Sequence, residues 1–270
     1  MKPILIALFM LAACKTVAQT NNRALSFAKG DKFKKQVFVK SICVLQQGTQ
    51  TVNIQTFSAV TKLYSVNNVS DNAFSFKITT QKIVDTINAL GKQMAYDSEK
   101  PGDPNSIIER ELNGTVGKPA SVDIDKTGII SAVDNASAPY ANDTVLAFSG
   151  IQPEKYNIGG ELGLTARFAV NPSFVTGYKW TDSSVNNNIK KVTNYRIELI
   201  SDTTTTVSFT SSIFENYFNT NINGVLVIDN NSGIVLQRIT QSSTTGFEVL
   251  NGLIYTETRR NAISEVCYKQ

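Results

Sequence analysis

Apolar and polar positions alternate with a period of two through most of this chain, which is the signature of half-buried β-strands. Gln36 to Leu45 (QVFVKSICVL) predicts a first strand. Thr51 to Tyr64 predicts a second through Val52 and Ile54, with a slip before Val60. Ala73 to Ile87 follows through Phe74, Phe76 and Ile78, then a turn over Asn88-Ala89-Leu90-Gly91 and a return from Gln93 to Tyr96. Alternation resumes over Phe174–Thr181, Val192–Ser201 and Thr203–Ser211. Long strands joined by tight turns predict an antiparallel meander with one buried face.

Two stretches break the period. Asp103 stands as an N-cap, Pro104 as a first helical residue and Gly114 as a stop, which predicts a helix over 104–113 with Ile107, Ile108 and Leu112 as its apolar stripe. A weaker helical region is expected between Asn142 and Phe168, interrupted by Gly150, Pro153 and Gly159-Gly160. The expectation is therefore a β-rich α+β fold: a large curved antiparallel sheet, a half-barrel, with a few helices packed on its concave face.

One local pattern occurs twice. Ala120 to Val133 (ASVDIDKTGIISAV) and Gly224 to Ile239 (GVLVIDNNSGIVLQRI) both read as strand, Ile-Asp, a turn ending in Gly, and strand. Asp and Asn hydrogen-bond their own backbone in turns and Gly supplies positive φ, so both predict hairpins. The first also imitates a calcium loop through Asp123, Asp125, Thr127 and Asp134, but it ends in Asp rather than a bidentate Glu and lacks flanking helices. The plain hairpin is preferred, with no metal. The organisation is read as one β-rich domain over 30–270, or as two related β-halves over 30–135 and 170–268, after a flexible segment at 19–29.

The first residues change the picture from fold to address. Met1-Lys2-Pro3, the apolar run Ile4–Ala13 (ILIALFMLAA) and the small residues after it have the layout of an export signal. Leu11-Ala12-Ala13-Cys14 fits a lipoprotein signal over 1–13 with Cys14 acylated; Thr16-Val17-Ala18 before Gln19 fits ordinary cleavage of a signal over 1–18. Periplasm or outer-membrane association is expected. Membrane attachment is expected only through an acyl anchor at Cys14.

Charge and residue chemistry then narrow the function. With 26 Lys+Arg against 22 Asp+Glu, nothing points to nucleic acid or to an anionic membrane as partner. There is no histidine, which removes Ser-His-Asp and Cys-His nucleophile systems and every His-liganded metal site. No catalytic motif stands out, and neither an enzyme nor a cofactor is expected. Cys43 and Cys267 are a candidate disulfide in an oxidising compartment, or two separate buried thiols. Trp180, the single tryptophan, is a core anchor or a ligand-stacking residue.

Tyr96-Asp97-Ser98-Glu99-Lys100-Pro101, the capped helix, Gly117-Lys118-Pro119 before the Ile-Asp-x-Thr-Gly hairpin, and Gly177-Tyr178-Lys179-Trp180 occur in one order. That order resembles a family of exported Gram-negative envelope proteins known as a domain of unknown function. Tyr178-Lys179 departs from it, standing where that family has a Gly-Asp-Ser-Trp-like turn. The layout is also loosely similar to the half-barrel carriers of the LolA and LppX kind, which implies a cleft for acyl chains. Its candidate lining is Phe74, Phe76, Ile107, Ile108, Leu112, Phe148 and Trp180. The expectation is a non-catalytic envelope protein binding a hydrophobic or lipid-like ligand; the alternative is a structural or interaction protein without one. Oligomeric state is not legible.

Overall fold

The computed structural model describes residues 25–103, 106, 108–109, 112, 114–134, 149, 151, 154, 156–166, 174–186, 189–250 and 252–270. Twelve strands are present: β1 (Lys32–Gln47), β2 (Gln50–Val69), β3 (Ala73–Ala89), β4 (Lys92–Asp97), β5 (Pro119–Asp125), β6 (Ile130–Asp134), β7 (Lys179–Asn186), β8 (Ile189–Ile200), β9 (Thr204–Glu215), β10 (Phe218–Asp229), β11 (Val235–Leu250) and β12 (Leu253–Lys269). They form one antiparallel sheet in the order β6-β5-β3-β2-β1-β12-β11-β10-β9-β8-β7, with β4 also on β3. Two meanders, β1–β6 and β7–β12, are thus joined where the first strand pairs with the last, Phe33 opposite Lys269 through Gln46 opposite Thr256.

The strands run longer than their alternation suggests. β2 has 20 residues and spans roughly 65 Å. It stays in register through two bulges, at Thr61/Lys62 and Val66/Asn68, so the same face is kept inward along its whole length.

The described residues do not show a layer of helices on the concave face. Among the described residues strands dominate, with helical backbone only at Ile108, Glu109, Leu112 and Ser149, and the sheet is open, so the α+β half-barrel gives way to a nearly all-β architecture. Irregular segments cover the inner face instead. Leu25 N–H donates to Lys126 O and Ser26 N–H to Ser232 O, tying one segment to both Asp-turn hairpins. Residues 156–166 run between the same hairpins, with Gly159 N–H donating to Ile130 O and Val235 N–H to Leu164 O. A helix there would forfeit these bonds, and Gly159, Gly160 and Gly163 disfavour one. Of the helix expected over 104–113, Ile108 and Leu112 are described and buried.

Three apolar clusters sit on the inner face. The first packs Leu25, Phe27, Leu162 and Leu164 over Phe33, Phe74, Phe76, Val122 and Ile124. The second holds Cys43, Ile54, Ile83, Ile87 and Tyr96 under Ile108, Leu112 and Ile151. The third, in the other meander, holds Ile197, Val207, Leu226 and Ile228 with Ala166.

Candidate functional site

Antiparallel register places directly opposed residues in rows across the sheet, and one row on the inner face crosses ten strands. It reads Trp180, Tyr195, Phe209, Gly224, Thr240, Ile263, Val39, Ser58, Asp85, Tyr96. Its β7–β10 end is an aromatic ladder. Trp180 stacks on Tyr195 with ring centres 4.9 Å apart and planes 14° apart, and Tyr195 meets Phe209 at 6.2 Å. Phe174 stacks on the other side of Trp180 at 5.4 Å. Such cross-strand aromatic pairs stabilise the sheet beyond their buried area. Gly224 lets the ladder lie flat, because a Cβ there would come within 2.7 Å of the Phe209 ring. Trp180, Tyr195 and Phe209 remain half-buried, so part of each ring is available.

Polar groups run alongside. The next inner row is Asp182, Thr193, Ser211, Ile222, Ser242, Asn261, Ser41, Thr56. Thr193 Oγ1 and Ser211 Oγ share a hydrogen bond of 2.7 Å, and both residues are buried. The face therefore offers flat apolar rings beside a line of hydroxyls and amides. That arrangement can hold an amphiphile.

At the opposite end of the ladder row lies Asp85, 1% exposed. Ser58 Oγ lies 2.8 Å from Asp85 Oδ1 and 2.7 Å from Ser149 O. A serine hydroxyl has one hydrogen for these two acceptors. Asp85 Oδ2 is buried with no hydrogen-bond partner among the described residues, which disfavours the charged carboxylate. Burial points the same way, pushing the Asp85 carboxyl up to about 7 against the opposing Ser58 hydrogen bond. A folded-state value above the unfolded one means the unfolded chain releases its proton first as pH rises. Stability is then lost between about pH 4 and pH 7. Asp85→Asn is expected to remove that loss and to raise stability by about 2 kcal/mol at pH 8, with little change at pH 4, in urea melts at both pH values.

A second buried polar group clamps the junction of the meanders. Glu154 accepts from Lys62 Nζ at 2.9 Å, Tyr64 Oη at 2.5 Å, Tyr156 Oη at 3.2 Å and Gly163 N–H at 2.7 Å. Lys35 Nζ donates to Gly163 O at 2.9 Å and pairs with Glu265 at 2.9 Å, which also faces Arg238. Burial raises the Glu154 carboxyl, but the Lys62 and Lys35 ammonium groups and the Tyr64 hydroxyl outweigh it and hold it far below the usual carboxylate range. The residues come from β1, β2, β11, β12 and the covering loop, so this network is a strut rather than an open site.

The remaining expected residues fall as follows. Phe74 and Phe76 lie in the filled first cluster, where Phe27 meets their rings edge-on at 4.9 and 5.2 Å. Ile108 and Leu112 lie in the second cluster, away from Trp180. Only Trp180 sits on the half-open face. Ile107, Phe148 and the Cys14 lipidation site lie outside the described residues.

Cys43 and Cys267 are buried in different clusters, with no disulfide between them. Cys267 stands opposite Lys35 and Cys43 opposite Arg259, eight residues or about 26 Å apart along the paired strands. Burial pushes the Cys267 thiol up to about 11.

Asp125 serves its own turn, accepting from Thr127 N–H, Thr127 Oγ1 and Ile129 N–H at 2.7–3.0 Å. Among the described residues no three metal-ligating side chains cluster, Asp123 and Asp134 included.

Tyr195 and Phe209 escaped the sequence reading. The available signal was Gly224, a glycine inside a strand.

No protein-family model matches the chain, and no curated protein matches it. Among solved structures, the chain is similar in fold to one from work titled "Lipid-protein interactions in lipovitellin", with a TM-score of 0.54 and 10% identity. The match covers 91% of this chain and 26% of that one, so this chain spans about a quarter of the lipovitellin chain. An outer membrane channel from Pseudomonas putida F1 matches with a TM-score of 0.30 and 6% identity over 91% of this chain and 98% of that one, too distant to carry an argument.

Proposed function

We propose that this chain is a non-catalytic, exported envelope protein that binds a lipid-like amphiphile on the inner face of its β7–β12 meander. The aromatic ladder carries the reading: three half-buried rings in one row, beside the hydroxyls of Thr193 and Ser211. The rings take an apolar chain lying across the strands, and the partly exposed Ser242 and Asn261 of the neighbouring row take the oxygens of a head group. Fold likeness to lipovitellin, a protein whose printed description concerns lipid–protein interactions, supports a lipid over other flat ligands. The leader, by either cleavage, supports the envelope address. The absence of histidine and of a nucleophile motif supports binding without catalysis.

Trp180 is the only tryptophan and so reports on its own site. Titration with a lysophospholipid below its critical micelle concentration is expected to shift Trp180 emission to the blue and to saturate. Emission that stays constant through the titration overturns the proposal.

A further inference from the structure

We infer that the outer face of the sheet, opposite the ligand face, carries a site for an acidic oligosaccharide. This goes beyond the amphiphile reading and does not depend on it. A trough of about 570 Å³ crosses β9, β10, β11, β12 and β1 on that face. Two outward rows wall it. One runs through Asn223 and Gln241 to Lys40, the other through Asn221 and Ser243 to Arg260. The positions between the rows, Ser242 among them, turn their side chains to the inner face, so the floor is backbone. At the strand spacing the trough is about 19 Å long, room for several sugar rings in line.

The lining fixes the class of occupant. Lys40 and Arg260 stand diagonally across the β1–β12 pair, roughly 7–8 Å apart at Cα. Both are exposed, and neither side chain has an ion pair among the described residues. No Asp or Glu lines the trough, and the residues directly opposite the two cations, Phe57, Ala262, Ile42 and Ser243, are uncharged. Two neighbouring cations with no carboxylate between them repel each other, and a ligand carboxylate held by both relieves that repulsion. Along the rest of the trough the polar groups are neutral amides and hydroxyls. Asn is depleted in strands, yet Asn221 and Asn223 occupy alternate positions of β10, an interior strand. Ser212 Oγ donates to Asn221 Oδ1 at 3.1 Å, which leaves the amide N–H groups to a ligand. The amides of Asn223 and Gln241 each offer a donor beside an acceptor, the match for adjacent sugar hydroxyls. Phe57, 49% exposed, extends the Lys40 row on β2 and offers a flat ring to the CH face of a terminal sugar.

Isothermal titration calorimetry of the full chain with trigalacturonate tests the inference. Maltotriose serves as the neutral sugar and triglutamate as the acidic non-sugar. Trigalacturonate is expected to bind, and Lys40→Ala/Arg260→Ala to weaken it about tenfold or more. Asn223→Ala/Gln241→Ala is expected to weaken it about fivefold. All four side chains are exposed, so the urea midpoints of both variants are expected to match the parent. Maltotriose is expected to bind about tenfold more weakly than trigalacturonate and to be indifferent to the loss of the two cations. Trp180→Ala is expected to bind trigalacturonate normally. Lys40→Ala/Arg260→Ala is expected to leave the lysophospholipid shift of Trp180 emission unchanged, which separates the two faces. The inference is overturned if trigalacturonate does not bind, or if either double variant binds it as the parent does. It is equally overturned if triglutamate binds as tightly as trigalacturonate, the mark of a bare cation pair.

Discussion

Glu154→Ala is expected to destabilise the protein by about 3–5 kcal/mol, the usual cost of removing one partner from a buried ion pair. The substitution leaves Lys62 and the Tyr64 hydroxyl without their shared acceptor and Gly163 N–H without a partner. Lys62 and Glu154 are 14% and 16% exposed in their side chains, so water can do little to compensate. Urea unfolding reads the loss as a lower midpoint at constant slope. Gly163→Ala is expected to damage the same strut, because a Cβ there would stand 2.2 Å from Glu154 Oε1.

The strut also sets a pH dependence opposite to that of Asp85. Glu154 titrates lower in the folded chain than in the unfolded one, so its contribution is complete above the ordinary glutamate value near 4.3 and disappears as pH falls below it. Asp85 removes stability as pH rises from about 4 to about 7. The joint contribution of these two groups is greatest near pH 4–5. A Glu154→Gln/Asp85→Asn protein is expected to lose most of that peak.

Phe76→Ala is expected to cost about 3–5 kcal/mol as well, through a cavity rather than a charge. Phe76 is 1% exposed and meets the Phe27 ring edge-on, inside a cluster shared by β1, β2, β3, β5 and the covering segments. The cost falls on stability alone: lysophospholipid is expected to shift Trp180 emission in Phe76→Ala at the same concentration as in the parent. Trp180→Ala is expected to behave in the opposite way, with a small stability loss and weakened ligand binding. This contrast separates the filled half of the inner face from the half-open one.

The sequence showed some of this architecture for a clear physical reason and hid the rest for another. Alternation located most strands, because inner positions such as Phe74, Phe76, Val122 and Ile124 are apolar and their neighbours polar. The two Ile-Asp turns were legible because Asp125 and Asp229 bond their own backbone or its neighbours over two to four residues. The covering layer was not legible, since Leu25, Phe27, Leu162 and Leu164 follow no helical or strand period. Their placement depends on bonds to Lys126, Ser232 and Val235, which are remote in sequence. Nor was the ligand face. Its inner row of Thr193, Ser211, Ser242 and Asn261 is polar on the side that alternation assigns to the core. The ladder itself assembles only when β7, β8 and β9 pair. The Asp103-Pro104 signal and its Gly114 stop are local, whereas the inner face is a tertiary surface that local signals do not describe.

The most direct test of the ligand face is quenching of Trp180 by lysophospholipids brominated along the acyl chain. Bromine quenches tryptophan only at near-contact distance, and no second tryptophan contributes. Strong, saturable quenching that is lost in Tyr195→Ala/Phe209→Ala is the expected result. A lipid that binds, as judged by native mass spectrometry, while leaving Trp180 unquenched would contradict the assignment of the ladder as the binding face.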